Sequence, residues 1–181
     1  MSWEVLNTET IAQTPRFDLV KEQVRLPNGK IKDFYLTKHS DSAVIMPVTS
    51  DGKIVMLNEY RHPCRERLLS LAGGHLEKGD KPEDAAAREL MEETGYTADR
   101  FEFVQAVFAD PPRTGRRWYF FIAHNARPVA KQQLTEFEDM EITLLSPVDL
   151  LAAIADGKVT NLPDMGLMYL GLHKLGFIRS K

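Results

Sequence analysis

The stretch from Gly74 to Tyr96 constrains this chain more than any other part of its sequence. It holds seven acids (Glu77, Asp80, Glu83, Asp84, Glu89, Glu92, Glu93) against three bases (Lys78, Lys81, Arg88). Within it, Pro82–Thr94 reads as a helix. Pro82 suits the first turn, Glu83 and Asp84 favour the positive end of the helix dipole, and Gly95 closes the C-terminus. On that helix Glu89 and Glu93 stand four residues apart, and Glu92 lies beside them. Like charges at this spacing weaken an isolated helix by ~0.2–0.5 kcal/mol per pair. Such a stack is either a solvated face or a set of ligands waiting for a cation. All-oxygen donors suit Mg2+ or Mn2+.

The residues before the helix favour the second reading. Gly73-Gly74 lets the backbone approach a metal or a phosphate closely. Gly79 permits a tight loop, and Arg88 is spaced to pair with an acid in that loop, Asp80 or Glu77. Ala86, Ala87, Leu90 and Met91 are the expected apolar stripe.

Elsewhere the chain reads as many strands and few helices. Phe17–Leu26 and Ile31–Thr37 flank Pro27-Asn28-Gly29-Lys30 and predict a β-hairpin. Ala43–Val48 and Lys53–Asn58 flank Ser50-Asp51-Gly52 and predict a second one. Leu68–Leu71 is a short strand leading into the glycines. Phe101–Phe108 and Arg117–His124 bracket a loop, Ala109–Arg116, and Glu141–Leu145 adds another strand. Ser146 caps a helix over Pro147–Ala155, and a last helix covers Leu162–Leu175. Helices that do not alternate regularly with strands indicate an α+β class.

At 181 residues the chain can build one well-buried core. A net charge of −3 argues against a nucleic-acid surface. The single cysteine, Cys64, excludes an intrachain disulfide and fits a reducing compartment. No apolar run approaches the ~20 residues that span a bilayer, and the first residues lack a signal-peptide pattern. A cytoplasmic protein without a membrane partner is the expectation.

The run Gly74-HLEKG-Asp80-KPEDAAA-Arg88-Glu89-Leu90-Met91-Glu92-Glu93-Thr94-Gly95-Tyr96 resembles the Nudix box, with Asp80 where that family has glutamate. The resemblance implies a Nudix fold: mixed β-sheets between helices in an α/β/α sandwich, over residues 41–181. Residues 1–40 would form an N-terminal β extension. It implies that Glu89 and Glu93 are the chief metal ligands, Glu92 an auxiliary one, and the carbonyl of Gly73 a further donor. Glu92 also counts among the candidate catalytic residues. A general base outside the box is expected in the acidic segment Thr135–Glu141, with Glu138 the better match and Glu136 the second.

The resemblance extends to substrate. Asn58-Glu59-Tyr60-Arg61 is similar to the Gln-Tyr-Arg element of ADP-ribose and nucleotide-sugar pyrophosphatases, which makes Arg61 and Tyr60 substrate-binding candidates. Pro111 and Pro112 fall where the ADP-ribose branch carries a proline, but the adjoining loop is basic. Arg113 is the candidate there for a phosphate or ribose. In that branch the N-terminal strands are exchanged between the subunits of a homodimer, which nominates Phe17, Phe34 and Tyr35 against the base. The implied reaction is hydrolysis of a nucleotide-sugar diphosphate with Mg2+ or Mn2+. A triphosphate pyrophosphohydrolase fits less well, given the length and Tyr60-Arg61. A silent binding module fits poorly with an intact Glu89, Glu92 and Glu93.

Overall fold

The computed structural model describes residues 2–178. The chain divides into two compact units: the residues up to Asp41 together with Phe108–Arg117, and Ser42–Val107 together with the residues from Trp118 onward.

The first unit is built on three antiparallel strands, β1 (Glu4–Gln13), β2 (Asp18–Arg25) and β3 (Ile31–Lys38), in that order. The β2–β3 hairpin is the one the turn residues predict. Strand β1 is an addition, and its sequence conceals it: nine of its ten residues are exposed, so no alternation marks a buried face. Aromatic side chains stay exposed in this unit, among them Trp3, Phe17, Phe34 and Tyr35. Trp3 meets Phe34 edge-on at 5.3 Å between ring centroids. The loop carrying Pro111 and Pro112 is tied in locally, with Thr37 N–H donating to the Arg113 carbonyl.

The second unit carries strands β4 (Ser42–Thr49), β5 (Ile54–Arg61), β6 (Glu66–Ser70), β7 (Ala72–His75), β8 (Tyr96–Thr97), β9 (Arg100–Phe108), β10 (Arg117–Pro128) and β11 (Met140–Leu145). Its helices are α1 (Pro82–Thr94), α2 (Pro147–Ala155) and α3 (Leu162–Lys174). The central order is β11-β5-β4-β10-β8, and β10 runs parallel to β4 while β4 meets β7 antiparallel. This is a mixed sheet with helices on both faces.

Strand parity assigns the layers. Val44, Met46, Ile54, Met56, Phe120 and Ile122 pack with Leu150 and Ile154 of α2 and Leu167, Met168 and Leu172 of α3. Ala43, Ile45, Val55, Phe121 and Ala123 pack instead with Ala85, Ala86 and Leu90 of α1. Burial on both faces is why these strands read as continuous apolar runs rather than alternating ones.

Two expectations need correction. The apolar stripe of α1 is Ala85, Ala86 and Leu90; Ala87 is exposed, and Glu89, Glu93 and Thr94 are buried in its stead. The second predicted hairpin is paired only beside its turn, at Val48 and Ile54. Beyond that pair the strands take different neighbours, β6 joining β5 and β7 joining β4. The predicted strand Leu68–Leu71 is the end of β6, and Leu71 falls between it and β7.

Candidate active site

Helix α1 and strand β7 build the centre of the site. The N–H of Gly73 donates to Glu93 Oε2 at 2.7 Å. One residue on, Gly74 lies against the carboxylate of Glu89, which would have to swing aside to admit a Cβ there. Gly95 ends α1 in the left-handed conformation, φ 68°, with its N–H on the Met91 carbonyl. Glu89 and Glu93 are both buried, at 8% and 9% exposure. Burial pushes the Glu93 carboxyl well above its ordinary range, and nearby Glu89, Glu59 and Glu138 add to the rise against the pull of the Gly73 N–H. Burial also raises Glu89, opposed by the Arg88 guanidinium.

Arg88 braces the loop before the helix. Its Nη1 donates to Glu89 Oε1 at 2.8 Å and to Glu92 Oε2 at 3.1 Å, and Nη2 donates to the His75 carbonyl at 3.0 Å. Nη2 also lies 3.6 Å from Asp80 Oδ2, the pairing anticipated from the spacing. That aspartate accepts from the Glu77 N–H at 3.0 Å, so the shorter carboxylate still closes the loop. Glu77 itself is exposed.

A second layer comes from β5. Glu59 is buried at 7% exposure, forms an ion pair with Arg61 Nη2 at 2.8 Å and accepts from Ser70 Oγ at 3.2 Å. Burial raises its carboxyl, with Arg61 opposing and Glu138 adding. Sequence reasoning overlooked Glu59, although a signal existed. It shares strand parity with Val55 and Leu57, and a charged residue on an apolar face calls for a reason.

The segment before β11 is tied to the end of α1. Gln132 Nε2 donates to the Glu93 carbonyl, and the Gln133 N–H donates to the Glu92 carbonyl, each at 2.7 Å. Further along, Tyr60 N–H donates to the Asp139 carbonyl at 2.9 Å. Between these anchors Glu138 is half-buried, accepts from the Thr135 N–H at 2.8 Å, and feels Glu59, Glu89 and Glu93 electrostatically. Glu136 is exposed. Thus Glu59, Glu89, Glu93 and Glu138 share one neighbourhood, and Arg61 reaches it through Glu59. Tyr60 is partly exposed at the edge of β5. Arg113 belongs to the other unit, where it pairs with Asp110 at 3.1 Å.

The NUDIX domain profile matches residues 38–163 of this chain. An ADP-ribose pyrophosphatase of Bacillus subtilis (strain 168) is 34% identical over 85% of the chain and 86% of its own length. The chain belongs to the NUDIX family. A GDP-mannose pyrophosphatase of Yersinia pestis (strain Pestoides F) is 28% identical over 80% of this chain and 76% of its own. A crystal structure of an ADP compounds hydrolase superposes with a TM-score of 0.80 over 98% of both chains at 21% identity, so the Nudix fold is shared throughout.

Nudix proteins generally depend on a divalent cation, and the oxygen donors of these carboxylates suit one. Glu89 and Glu93 are buried and mutually repelling, Arg88 pairs with Glu89, and each carboxylate oxygen is a hard ligand. Among the described residues no three acidic, histidine or cysteine side chains are already gathered as a coordination shell. Arg88 is hydrogen-bonded to Glu89 and Glu92, and the Gly73 N–H holds one oxygen of Glu93.

Proposed function

We infer that this Nudix enzyme hydrolyses the pyrophosphate bond of ADP-ribose or a nucleoside diphosphate sugar, releasing a nucleoside monophosphate and a sugar phosphate. The buried Glu89 and Glu93, closed against Gly74 and Gly73, are the observation that carries this reading. The names of the relatives that match most of the chain support the substrate class.

Bound Mg2+ or Mn2+ supplies a Lewis acid that withdraws charge from the diphosphate and acidifies water. Glu89, Glu93, Glu92 and the Gly73 carbonyl would hold it. Glu138 takes the proton from water as the oxygen adds to phosphorus and the bridging P–O bond breaks. Its electrostatic contact with Glu59, Glu89 and Glu93 favours it over the exposed Glu136. Arg61 binds the substrate's phosphates, oriented by Glu59. It borders a cleft of about 400 Å3, lined also by Glu66, Leu68 and Asn161, with room for part of the substrate. Tyr60 contributes a further substrate contact.

The exposed Trp3, Phe17, Phe34 and Tyr35 support a homodimer formed through the N-terminal strands. No helix among the described residues is long and apolar enough to cross a membrane.

The test is turnover of ADP-ribose, ADP-glucose, GDP-mannose and ATP by the purified protein with Mg2+, monitoring release of the nucleoside monophosphate. Cleavage of the sugar-linked diphosphates with ATP untouched is the expected outcome. Preferential cleavage of ATP would overturn the substrate class.

A further inference from the structure

Leu71 occupies an unusual point in the sheet. The residue before it, Ser70, pairs with Leu57 on β5, and the residue after it, Ala72, pairs with Ile45 on β4. Leu71 is where the chain steps from one strand's side to the other's, and neither ladder pairs it. It is 5% exposed. A buried N–H left without an acceptor costs about 1–3 kcal/mol. The acceptor comes from α3: Asp164 Oδ2 takes the Leu71 N–H at 3.1 Å, from a carboxylate that is itself only 4% exposed.

The step matters because both site glycines lie just beyond it. Two residues on, Gly73 donates to Glu93; three residues on, Gly74 lies against the Glu89 carboxylate. The height of both glycines over α1 is set by where the chain leaves the step. Asp164 holds that point and feels Arg61 and Glu59 nearby. Burying a carboxylate is costly, and a core position on α3 would be better filled by an apolar residue if stability were the only demand.

We propose that Asp164 is a positioning residue for the metal site, fixing the Leu71 step so that Gly73 and Gly74 meet Glu93 and Glu89 in register. The proposal rests on the assignment of Glu89 and Glu93 as metal ligands. Asp164 touches neither metal nor substrate; it acts through the backbone of Leu71–Gly74.

The test compares Asp164→Ala, Asp164→Asn and Asp164→Glu with Leu167→Ala, which loosens α3 without removing the acceptor, and with Glu93→Gln. For each, Mn2+ affinity without substrate, exchange of the Leu71 amide proton, and kcat and KM for ADP-ribose are measured. Asp164→Ala should weaken Mn2+ about 10-fold and lower kcat similarly, with KM within about twofold, as loss of a group supporting a metal ligand does. Its Leu71 amide should exchange faster. Asp164→Asn keeps an acceptor oxygen and should recover Mn2+ affinity to within about threefold. Leu167→Ala should keep Mn2+ affinity despite a lower Tm. If Asp164→Ala does not fold, Asp164→Glu decides, since its oxygens are displaced by one methylene and should weaken Mn2+ several-fold. Unchanged affinity in the folded variants, or an equal loss in Leu167→Ala, overturns the proposal while leaving the ligand assignment intact. Wild-type Mn2+ affinity in Glu93→Gln overturns that assignment, and the proposal with it.

Discussion

The box helix and the N-terminal sheet are built on opposite terms. Helix α1 buries Ala85, Ala86 and Leu90 completely and carries two charged side chains, Glu89 and Glu93, into the same shielded environment. The three-stranded sheet leaves β1 exposed on both faces and keeps Trp3, Phe34 and Tyr35 in solvent. One region uses its packing to hold carboxylates where they would rather not be charged. The other leaves aromatic side chains exposed, Trp3 and Phe34 meeting only edge-on. The box helix carries its unfavourable burial at the centre of its unit, whereas the N-terminal sheet carries its exposed apolar side chains at the surface.

Leu90→Ala against Phe34→Ala offers the largest contrast. Truncating the fully buried Leu90 should cost ~2–5 kcal/mol in denaturant unfolding. Phe34→Ala should cost under ~1 kcal/mol in a dilute monomer, yet weaken self-association in sedimentation experiments. Equal losses would erase the distinction between the regions. Next in size is Glu93→Gln, which should lower turnover at least ~100-fold with the fold retained by circular dichroism. Near-normal activity would remove Glu93 from the metal site.

A pH comparison sharpens the same contrast. Burial raises Asp164 from 3.8 to about 6. The folded protein thus keeps a proton that the unfolded chain releases. The resulting stability is fully present below pH 3.8 and is lost as pH rises through about 6. Stability of the wild type relative to Asp164→Asn should therefore fall between about pH 4 and about pH 7 in unfolding curves. A rise would mean the carboxylate is better stabilised folded than unfolded. The smallest effect is expected in the first unit, where Arg25→Ala removes an exposed ion pair with Glu4 and should change stability by under ~1 kcal/mol.

The same contrast explains what the sequence made legible. Helix α1 was readable to the residue, because Pro82, the acidic first turn and Gly95 are local signals that tertiary structure did not override. Ser146 at the start of α2 is another such signal, its Oγ accepting from the Asp149 N–H. The Arg88–Asp80 brace was readable from spacing and motif. Strand β1 was not, since a strand exposed on both faces has no periodicity to detect. The break at Leu71 was hidden because Leu68–Leu71 carries no glycine or proline to mark it, and only the parting of β4 and β5 separates β6 from β7. Asp164 was invisible because its partner is remote, and a lone aspartate in the first turn of a helix reads as an ordinary dipole-favoured residue.

That remoteness bears on how the protein acquires activity. The hydrogen bond from Gly73 to Glu93 closes a separation of 20 residues, but the one from Leu71 to Asp164 closes 93. Loop-closure entropy makes the second contact slower to form than the first. During synthesis the box can fold against its own strand while α3 is still unmade. Refolding monitored in real time should show α1 structure early and metal-dependent turnover late, with a lag set by the docking of the last helix.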